Sequence, residues 1–216
     1  MKIKLKFCLL FLLIDISFGN TGIAQKFCII TDAGYSYRLM IKPDSITDNN
    51  NISYFEKKKP GFNYNIEVAW FKDNYGFGIR FNSFMNSVSG KYAALSDTFN
   101  KSEITRFNYY SIQYHSRKEF GKTRFWRELS VGFGLLTYNN DEKVDTTKIN
   151  FTGYTYGLNL AFSIEYRLSK HLYLSIAPNI LIAKINQLEQ NGYPVQLKNG
   201  ESLARADITG GIKVFF

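Results

Sequence analysis

The chain has 216 residues, a formal net charge of +9 and 17% aromatic residues, with only four prolines and two cysteines. This length is sufficient for one domain, and the cysteine count excludes a disulfide-rich scaffold. A basic protein could bind nucleic acid, but the exported N-terminus described below argues against that partner and favours anionic lipid head groups.

Residues 1–24 have the three parts of a secretory signal peptide. Three lysines within the first six residues precede an apolar core at 7–14, and Gly22 and Ala24 put small residues at the −3 and −1 positions of a cleavage site. The apolar core is too short for a helix that must span about 30 Å of hydrocarbon. We therefore expect a signal peptide at 1–24 and a mature domain at 25–216.

The rest of the chain alternates between apolar and polar residues, which is the pattern of β-strands with two different faces. In 154–168, YTYGLNLAFSIEYRL, the even positions are apolar or aromatic and the odd positions are small, polar or charged. Seven other segments repeat this pattern. In chain order, the eight predicted strands are 27–39, 62–72, 75–84, 106–115, 125–137, 154–168, 172–181 and 203–216.

The predicted connections alternate in length. Those after the first, third, fifth and seventh strands are long and polar, whereas Asp73-Asn74 is a near-minimal hairpin turn. We expect both ends of the mature chain at the short-turn end, because the strand count is even. The predicted long loops are 41–61, 85–105, 138–152 and 182–202.

The contents of the two faces decide between two eight-stranded barrels. A soluble lipocalin-like barrel would hold an apolar ligand inside, whereas a membrane barrel has its apolar face outside. Bulky aromatic residues from eight strands would crowd an interior, but the small residues of the other face suit it. We therefore predict an all-β, eight-stranded antiparallel up-and-down transmembrane β-barrel, with the soluble barrel as the less favoured alternative.

Charged residues of both signs occur on the predicted inward face, and we expect them to pair there because an unpartnered interior charge is costly. The two-residue turn at Asp73-Asn74 places Glu67 opposite Arg80. The predicted interior charge network comprises Asp32, Arg38, Glu67, Arg80, Glu128, Glu165, Arg167, Arg205, Asp207 and Lys213.

Closure of the barrel requires the first predicted strand to pair with the last. One antiparallel register brings opposite charges together and small residues beside small residues, as cross-strand pairing favours. It also places Ile29 beside Phe216 on the apolar face. In this register Arg38 pairs with Asp207, Asp32 with Lys213, Gly34 with Gly211 and Ser36 with Thr209.

The last eight residues, TGGIKVFF, have polar and apolar positions at the spacing of the C-terminal insertion signal of outer-membrane barrels. The positions that match are Thr209, Gly211, Val214 and Phe216. With the signal peptide and seven preceding strands, residues 25–216 resemble the small outer-membrane β-barrel family, the OmpA/OmpX-like transmembrane domains. The resemblance implies that the barrel assembly machinery reads the last strand, which closes the barrel, and that the long loops face outward from the cell.

No catalytic or metal-binding motif is evident, since the sequence has no phosphate-binding glycine loop, HExxH or CxxC. His115 falls on an inward face near the short-turn end, and His171 lies in the turn before the seventh strand. Both are therefore far from the outer rim, where lipid-modifying barrels of the resembled class carry a Ser/His pair. We expect no enzymatic activity and no cofactor.

The expected location is the cell outer membrane, and the expected role is structural, in envelope integrity or surface recognition. A narrow pore for small solutes is the alternative. Expected partners are outer-membrane lipids, lipopolysaccharide and the assembly machinery, but not nucleic acid. Lys57-Lys58-Lys59 could attract lipopolysaccharide phosphates or be a solvated loop. Arg117, Lys118, Lys122 and Arg124 could face inner-leaflet head groups or remain solvated.

Overall fold

The computed structural model describes residues 25–40, 48–94 and 97–216, so the predicted signal peptide at 1–24 lies outside the described residues. No helix within these ranges is long and apolar enough to cross a membrane. The elements in chain order are β1 (Gln25–Arg38), α1 (Asn49–Lys57), β2 (Pro60–Lys72), β3 (Tyr75–Ala94), β4 (Asp97–Glu119), β5 (Phe125–Val144), β6 (Thr147–Arg167), β7 (Leu172–Gln190), β8 (Tyr193–Ser202) and β9 (Arg205–Phe215).

The strands close into a ring of eight positions, which confirms the predicted antiparallel barrel. Consecutive strands from β1 to β7 pair side by side, and β9 lies between β7 and β1. β8 pairs with the far part of β7 and shares the eighth position with β9. The predicted last strand at 203–216 therefore corresponds to β9, and β8 lies in what was predicted as a loop.

Three of the predicted long loops, 85–105, 138–152 and 182–202, are wrong, because the strands continue through them as paired hairpins. β5 and β6 pair without interruption as far as Val144 and Thr147. Their turn holds Asp145 at φ 49°, and the β7–β8 turn holds Asn191 and Gly192 at φ 51° and 85°. Such turns let each strand continue far beyond the apolar band and satisfy its backbone in the ladder.

Helix α1 falls within the first predicted loop, of which residues 41–47 lie outside the described residues. Asp48 caps the helix, since its Oδ1 accepts from the backbone N of Asn50 at 2.8 Å. The Asn51 side chain then donates to the backbone O of Ala93 and accepts from its backbone N, both at 2.8 Å. The pairing of β3 with β2 ends at Met85, and α1 covers the edge of β3 that continues past this point. We call α1 and the three extended hairpins, β3–β4, β5–β6 and β7–β8, the hairpin crown.

The exterior of the barrel is apolar, and the soluble alternative, which required the apolar face inside, is therefore wrong. Ile112 is 68% exposed and Ile176 62% exposed. On β6, Tyr156 and Tyr166 lie at opposite ends of a mostly aliphatic outward stretch. A strand tilted by about 40° covers about 25 Å of height over ten residues, which matches the apolar band of membrane barrels.

Aromatic rings form a girdle at the short-turn end. Phe27 contacts Trp70, with ring centroids 5.7 Å apart, and Phe125 contacts Tyr166 at 5.1 Å. Phe216 completes this girdle, since its ring lies 5.8 Å from that of Phe27 and its backbone N donates to the backbone O of Phe27 at 2.8 Å. We call these five residues the short-turn girdle.

The register predicted for the Asp73-Asn74 hairpin is confirmed, since Lys72 pairs with Tyr75 and Glu67 lies opposite Arg80. A two-residue turn leaves the flanking strands only one way to pair. The β2–β3 register could therefore be predicted from the sequence, because a short turn connects these two strands.

The predicted closing register is wrong by two residues. Gly34 pairs with Thr209 and Gly211 with Asp32, so each glycine faces a larger residue instead of another glycine. A Cβ on Gly34 would lie 1.9 Å from the backbone O of Ile208, so the missing side chain permits this close approach. Ile29 accordingly lies beside Val214 and not beside Phe216.

Cysteine cross-linking tests the observed register. In a Cys28→Ser background, the pair Ala33→Cys and Gly210→Cys should oxidise efficiently, because these residues are directly opposed on the outer face. The pair Ala33→Cys and Ile212→Cys, which the predicted register would oppose, should stay mostly reduced. Gel mobility without reductant measures both, and preferential cross-linking of the second pair would contradict the observed seam.

Candidate functional site

The lower half of the barrel interior contains a dense layer of charges contributed by six strands. Arg80 Nε lies 2.7 Å from Glu67 Oε2. Lys213 Nζ bridges two carboxylates, at 2.8 Å from Glu128 Oε1 and 2.7 Å from Glu165 Oε1. The pair of Arg80 and Glu67 joins the adjacent strands β2 and β3, whereas the ion pairs of Lys213 run across the lumen to strands that β9 does not adjoin. We call the whole set the ionic layer; its members are Glu67, Arg80, His115, Arg117, Glu128, Glu165 and Lys213.

His115 is a central member of the ionic layer that the sequence interpretation assigned no specific role. Its Nε2 lies 2.5 Å from Glu67 Oε1 and its Nδ1 lies 3.0 Å from Glu128 Oε1. Two N–H donors are needed to satisfy both carboxylates, which is the bonding of an imidazolium. The ring is fully buried, so it has no contact with solvent or with a substrate.

Arg117 was also misplaced by the sequence interpretation, which put it with the exposed cations of a turn. It faces inward, and its Nη2 lies 2.6 Å from Glu165 Oε2. Its guanidinium carbon lies 4.2 Å from the ring centroid of Trp126 and 4.5 Å from that of Phe215. β4 continues four residues beyond the predicted end at 115, and the inward parity of 111, 113 and 115 extends to 117.

Five of the predicted network residues, Glu67, Arg80, Glu128, Glu165 and Lys213, meet in the ionic layer, and the other five do not. Arg167 lies at the rim with its side chain 40% exposed, 3.9 Å from Glu119. Arg38 pairs with Glu201 at 2.9 Å and not with Asp207. The predicted pairs Arg38–Asp207 and Asp32–Lys213 are thus wrong, because Lys213 reaches carboxylates across the lumen.

Asparagine side chains donate to the two remaining interior carboxylates, Asp32 and Asp207. Asp32 accepts from Asn65 Nδ2. Asp207 accepts from Asn179 Nδ2 at 3.1 Å, and Arg205 Nε lies 3.2 Å from Asp207 Oδ1. These amides extend the polar layer upward without adding charge, and each donates at least one hydrogen bond to an interior carboxylate.

An apolar layer fills the lumen above these polar groups, which we call the upper plug. Phe107 is completely buried, and its ring lies 5.1 Å from Phe84 and 5.5 Å from Tyr138. The sequence interpretation expected small and polar residues on the interior face, and it placed Tyr138, Ala183, Ile185 and Leu188 in loops. Except for Leu188, which follows a bulge in β7, these residues continue the inward alternation of their strands, and this alternation was a signal available in the sequence. The buried residues of the upper plug are Phe84, Phe107, Tyr109, Leu136, Tyr138, Leu181, Ala183, Ile185, Leu188 and Leu203.

A second apolar layer, the lower plug, closes the short-turn end. The rings of Phe71 and Phe215 lie 5.5 Å apart, and Tyr173 contacts Phe215 at 5.2 Å. The buried members are Cys28, Ile30, Ala69, Phe71, Tyr173 and Phe215. The ionic layer is thus enclosed between two apolar layers.

The last strand places the four residues of the predicted insertion signal on alternate faces. Thr209 is buried inside the barrel, whereas Phe216 is 65% exposed on the outer face. Gly211 has the inward parity of Thr209, and Val214 the outward parity of Phe216. The geometry therefore presents the apolar half of this stretch to the membrane side.

The lysine run in the hairpin crown is largely engaged in ion pairs. Lys58 Nζ lies 2.8 Å from Glu103 Oε2, and Lys59 Nζ lies 2.6 Å from Glu56 Oε1. Lys57 is exposed. The first pair joins α1 to β4, so it helps to hold the helix against the hairpin edge.

Acidification should loosen α1 from the barrel. Burial disfavours the charged form of Glu103, but Lys58 and Lys101 outweigh this and hold its pKa below the ordinary value of 4.5. The contribution of a carboxylate with a lowered pKa is present above its ordinary pKa and is lost as pH falls through the lowered one. Amide exchange of 49–57, corrected for intrinsic rates, should therefore increase at pH 3 relative to pH 7.

The matched variant is Glu103→Gln, in which α1 should exchange faster at pH 7 and lose most of its pH dependence. Equal protection of the helix at both pH values in the native chain would contradict this role of Glu103.

Comparisons with known proteins agree with this architecture. No protein-family model matches the chain, and no curated protein matches it in sequence. A major outer membrane protein from Thermus thermophilus aligns with a TM-score of 0.59 and 12% identity, over 89% of this chain and 100% of the other. Neisserial surface protein A aligns with a TM-score of 0.52 and 12% identity, over 88% and 97%.

Ail, the attachment invasion locus protein of Yersinia pestis, aligns with a TM-score of 0.50 and 8% identity, over 89% of this chain and 98% of Ail. At sequence identities this low, the structural alignments show a shared fold alone. The chain has the fold of the small outer-membrane β-barrels.

Proposed function

We propose that this protein is an integral outer-membrane barrel with a closed lumen, which anchors the hairpin crown at the cell surface for envelope integrity or surface recognition. The apolar exterior and the short-turn girdle support the membrane placement. The long strands of the crown support the surface role, because they project well beyond the apolar band. We further propose that the short-turn end faces the periplasm, as in barrels with long outer and short inner connections.

The observation that carries this proposal is the filled lumen. The two plugs lie above and below the ionic layer, and Phe107, Leu136 and His115 are each 0% exposed. An eight-stranded barrel leaves an interior just wide enough for its own side chains. This arrangement favours a closed anchor over the narrow pore that was the alternative.

A non-enzymatic role forms part of the proposal. His115 is enclosed by the ionic layer, and the Nδ1 of His171 lies 2.8 Å from the backbone O of Phe215 at the short-turn end. Among the described residues, no group of three or more His, Cys, Asp or Glu side chains could hold a metal ion. These placements give neither histidine a role at the outer rim.

The partners of the barrel are also proposals. Exposed Lys57 and Lys91 support contact of the hairpin crown with lipopolysaccharide phosphates, since phosphate is a favourable counterion for lysine. The outward Val214 and Phe216 support reading of the last strand by the barrel assembly machinery. We also propose cleavage of a signal peptide after Ala24, which N-terminal sequencing of the mature protein tests.

Single-channel recording tests the closed lumen. The refolded protein in planar bilayers should give no steps of constant conductance, whereas a general porin reconstituted in parallel should give them. Heat-dependent gel mobility would show that the barrel is folded and inserted. Regular steps from the folded protein would contradict the closed lumen and favour the narrow pore.

A further inference from the structure

The short-turn end carries a strong excess of positive charge. Around the turns and the adjoining strand ends, the described residues include eight cationic side chains and two acidic ones, Asp73 and Glu119. The hairpin crown, in contrast, carries both signs in nearly equal numbers. The cationic residues of the short-turn end are Lys26, Lys72, Lys118, Lys122, Arg124, Arg127, Arg167 and Lys170.

Two of these cations lie side by side without an acidic partner. Lys118 on β4 pairs directly with Arg127 on β5, and both are exposed on the outer face of the barrel. Like charges that are directly opposed on adjacent strands destabilise each other. Among these eight cations, the one ion pair within the described residues is the 3.9 Å contact between Arg167 and Glu119.

The depth of Arg127 shows what surrounds it. Along the outer face of β5 it lies between Phe125 and Leu129, and across the ladder it faces Ile164. It is thus two residues, or about 6–7 Å, further along the strand toward the apolar band than the girdle residue Phe125. From this position at the edge of the apolar band, the guanidinium must extend toward the lipid head groups to keep its charge in a polar environment.

The neighbouring turn extends the same cationic surface. The guanidinium carbon of Arg127 lies 5.4 Å from the ring centroid of Phe120, which directs the side chain toward the turn. Lys122 and Arg124 in this turn are both exposed. These two cations and the opposed pair of Lys118 and Arg127 therefore flank the same connection between β4 and β5. We call Lys118, Lys122, Arg124 and Arg127 the basic patch.

We propose that the basic patch binds the phosphate groups of anionic phospholipids in the periplasmic leaflet. This rests on the membrane placement proposed above. A phosphate between Lys118 and Arg127 removes their mutual repulsion, and a guanidinium can bind phosphate oxygens in a bidentate manner. Anionic lipids are selected over zwitterionic ones, because the latter bring a cation of their own next to the patch.

Competition between labelled lipids tests the proposal. The barrel is reconstituted in phosphatidylcholine vesicles with spin-labelled phosphatidylglycerol or spin-labelled phosphatidylcholine, and the fraction of immobilised label is measured. The native chain should prefer phosphatidylglycerol by about threefold or more, since each cation at a membrane surface adds to the attraction. The variant Lys118→Gln with Arg127→Gln should lose most of this preference.

The matched control is Lys143→Gln with Lys148→Gln. These lysines are also directly opposed on adjacent strands, but they lie near the tip of the β5–β6 hairpin, far from the apolar band. The control should keep the preference of the native chain. No preference in the native chain, an unchanged preference in the patch variant, or an equal loss in the control would overturn the proposal.

Failure of the proposed membrane placement would be recognised separately. In that case the chain would not insert into vesicles at all, which heat-dependent gel mobility and flotation with the vesicles measure before any labelled lipid is added.

Discussion

Replacing Arg80 with methionine is expected to lower the free energy of unfolding by about 3–5 kcal/mol, because it leaves a buried carboxylate without its main partner. Arg80 is 7% exposed and Glu67 1% exposed, so water cannot replace the lost ion pair. The substitution also removes the hydrogen bond from Arg80 Nη1 to Asn159 Oδ1, at 3.0 Å. Urea unfolding in lipid vesicles, followed by the fluorescence of the two tryptophans, measures the effect.

The double variant Arg80→Met with Glu67→Gln should lose less stability than the two single variants added together, because the two side chains bond each other. Arg106→Met is the exposed control, since Arg106 and Asp141 are 45% and 50% exposed at a distance of 3.0 Å. An exposed pair contributes only about 0–1 kcal/mol. If the double variant lost as much stability as the two single losses added together, the two residues would not be coupled.

Replacing Phe107 with alanine is expected to cost about 3–5 kcal/mol, because a large side chain is removed from a packed interior and leaves a cavity. Its ring contacts Phe84 and Tyr138, and the guanidinium carbon of Arg38 lies 4.8 Å from its centroid. Unfolding in vesicles measures the loss. The upper plug is thus expected to stabilise the barrel as well as to close it.

Phe133→Ala is the matched control for the upper plug. Phe133 is 57% exposed on the outer face and stacks on Tyr156 with centroids 5.7 Å apart. Lipid chains can fill the space that its ring leaves, so its loss should cost less than half as much. A loss for Phe133→Ala equal to or larger than that for Phe107→Ala would contradict the interior role of the upper plug.

The faces of the strands were predictable from sequence alone. A strand has a period of two, so alternation decides which residues point inward once one face is known to be apolar. Glu67, Arg80, Glu128 and Lys213 were assigned to the interior on this basis, and the structure places them there. The Asp73-Asn74 turn then determined one register, because a two-residue connection permits no other.

Strand length was harder to predict, because the outward residues change character where a strand leaves the apolar band. In β4, Glu103 and Thr105 continue the inward parity, but the outward positions become polar. A polar alternating segment was therefore taken for a loop, although its backbone pairs as fully as the membrane segment does. The same misreading concealed Tyr138 and Ile185 as members of the upper plug.

Two features depended on the tertiary structure. No turn connects β1 to β9, so their register is set by the closure of the whole ring and by close packing at Gly34 and Gly211. The ion pairs of Lys213 likewise cross the lumen to Glu128 and Glu165 on strands that it does not adjoin. Alternation along the chain determines which side chains enter the lumen, but the stagger of the closed ring determines the height at which each one lies, and therefore which charges meet.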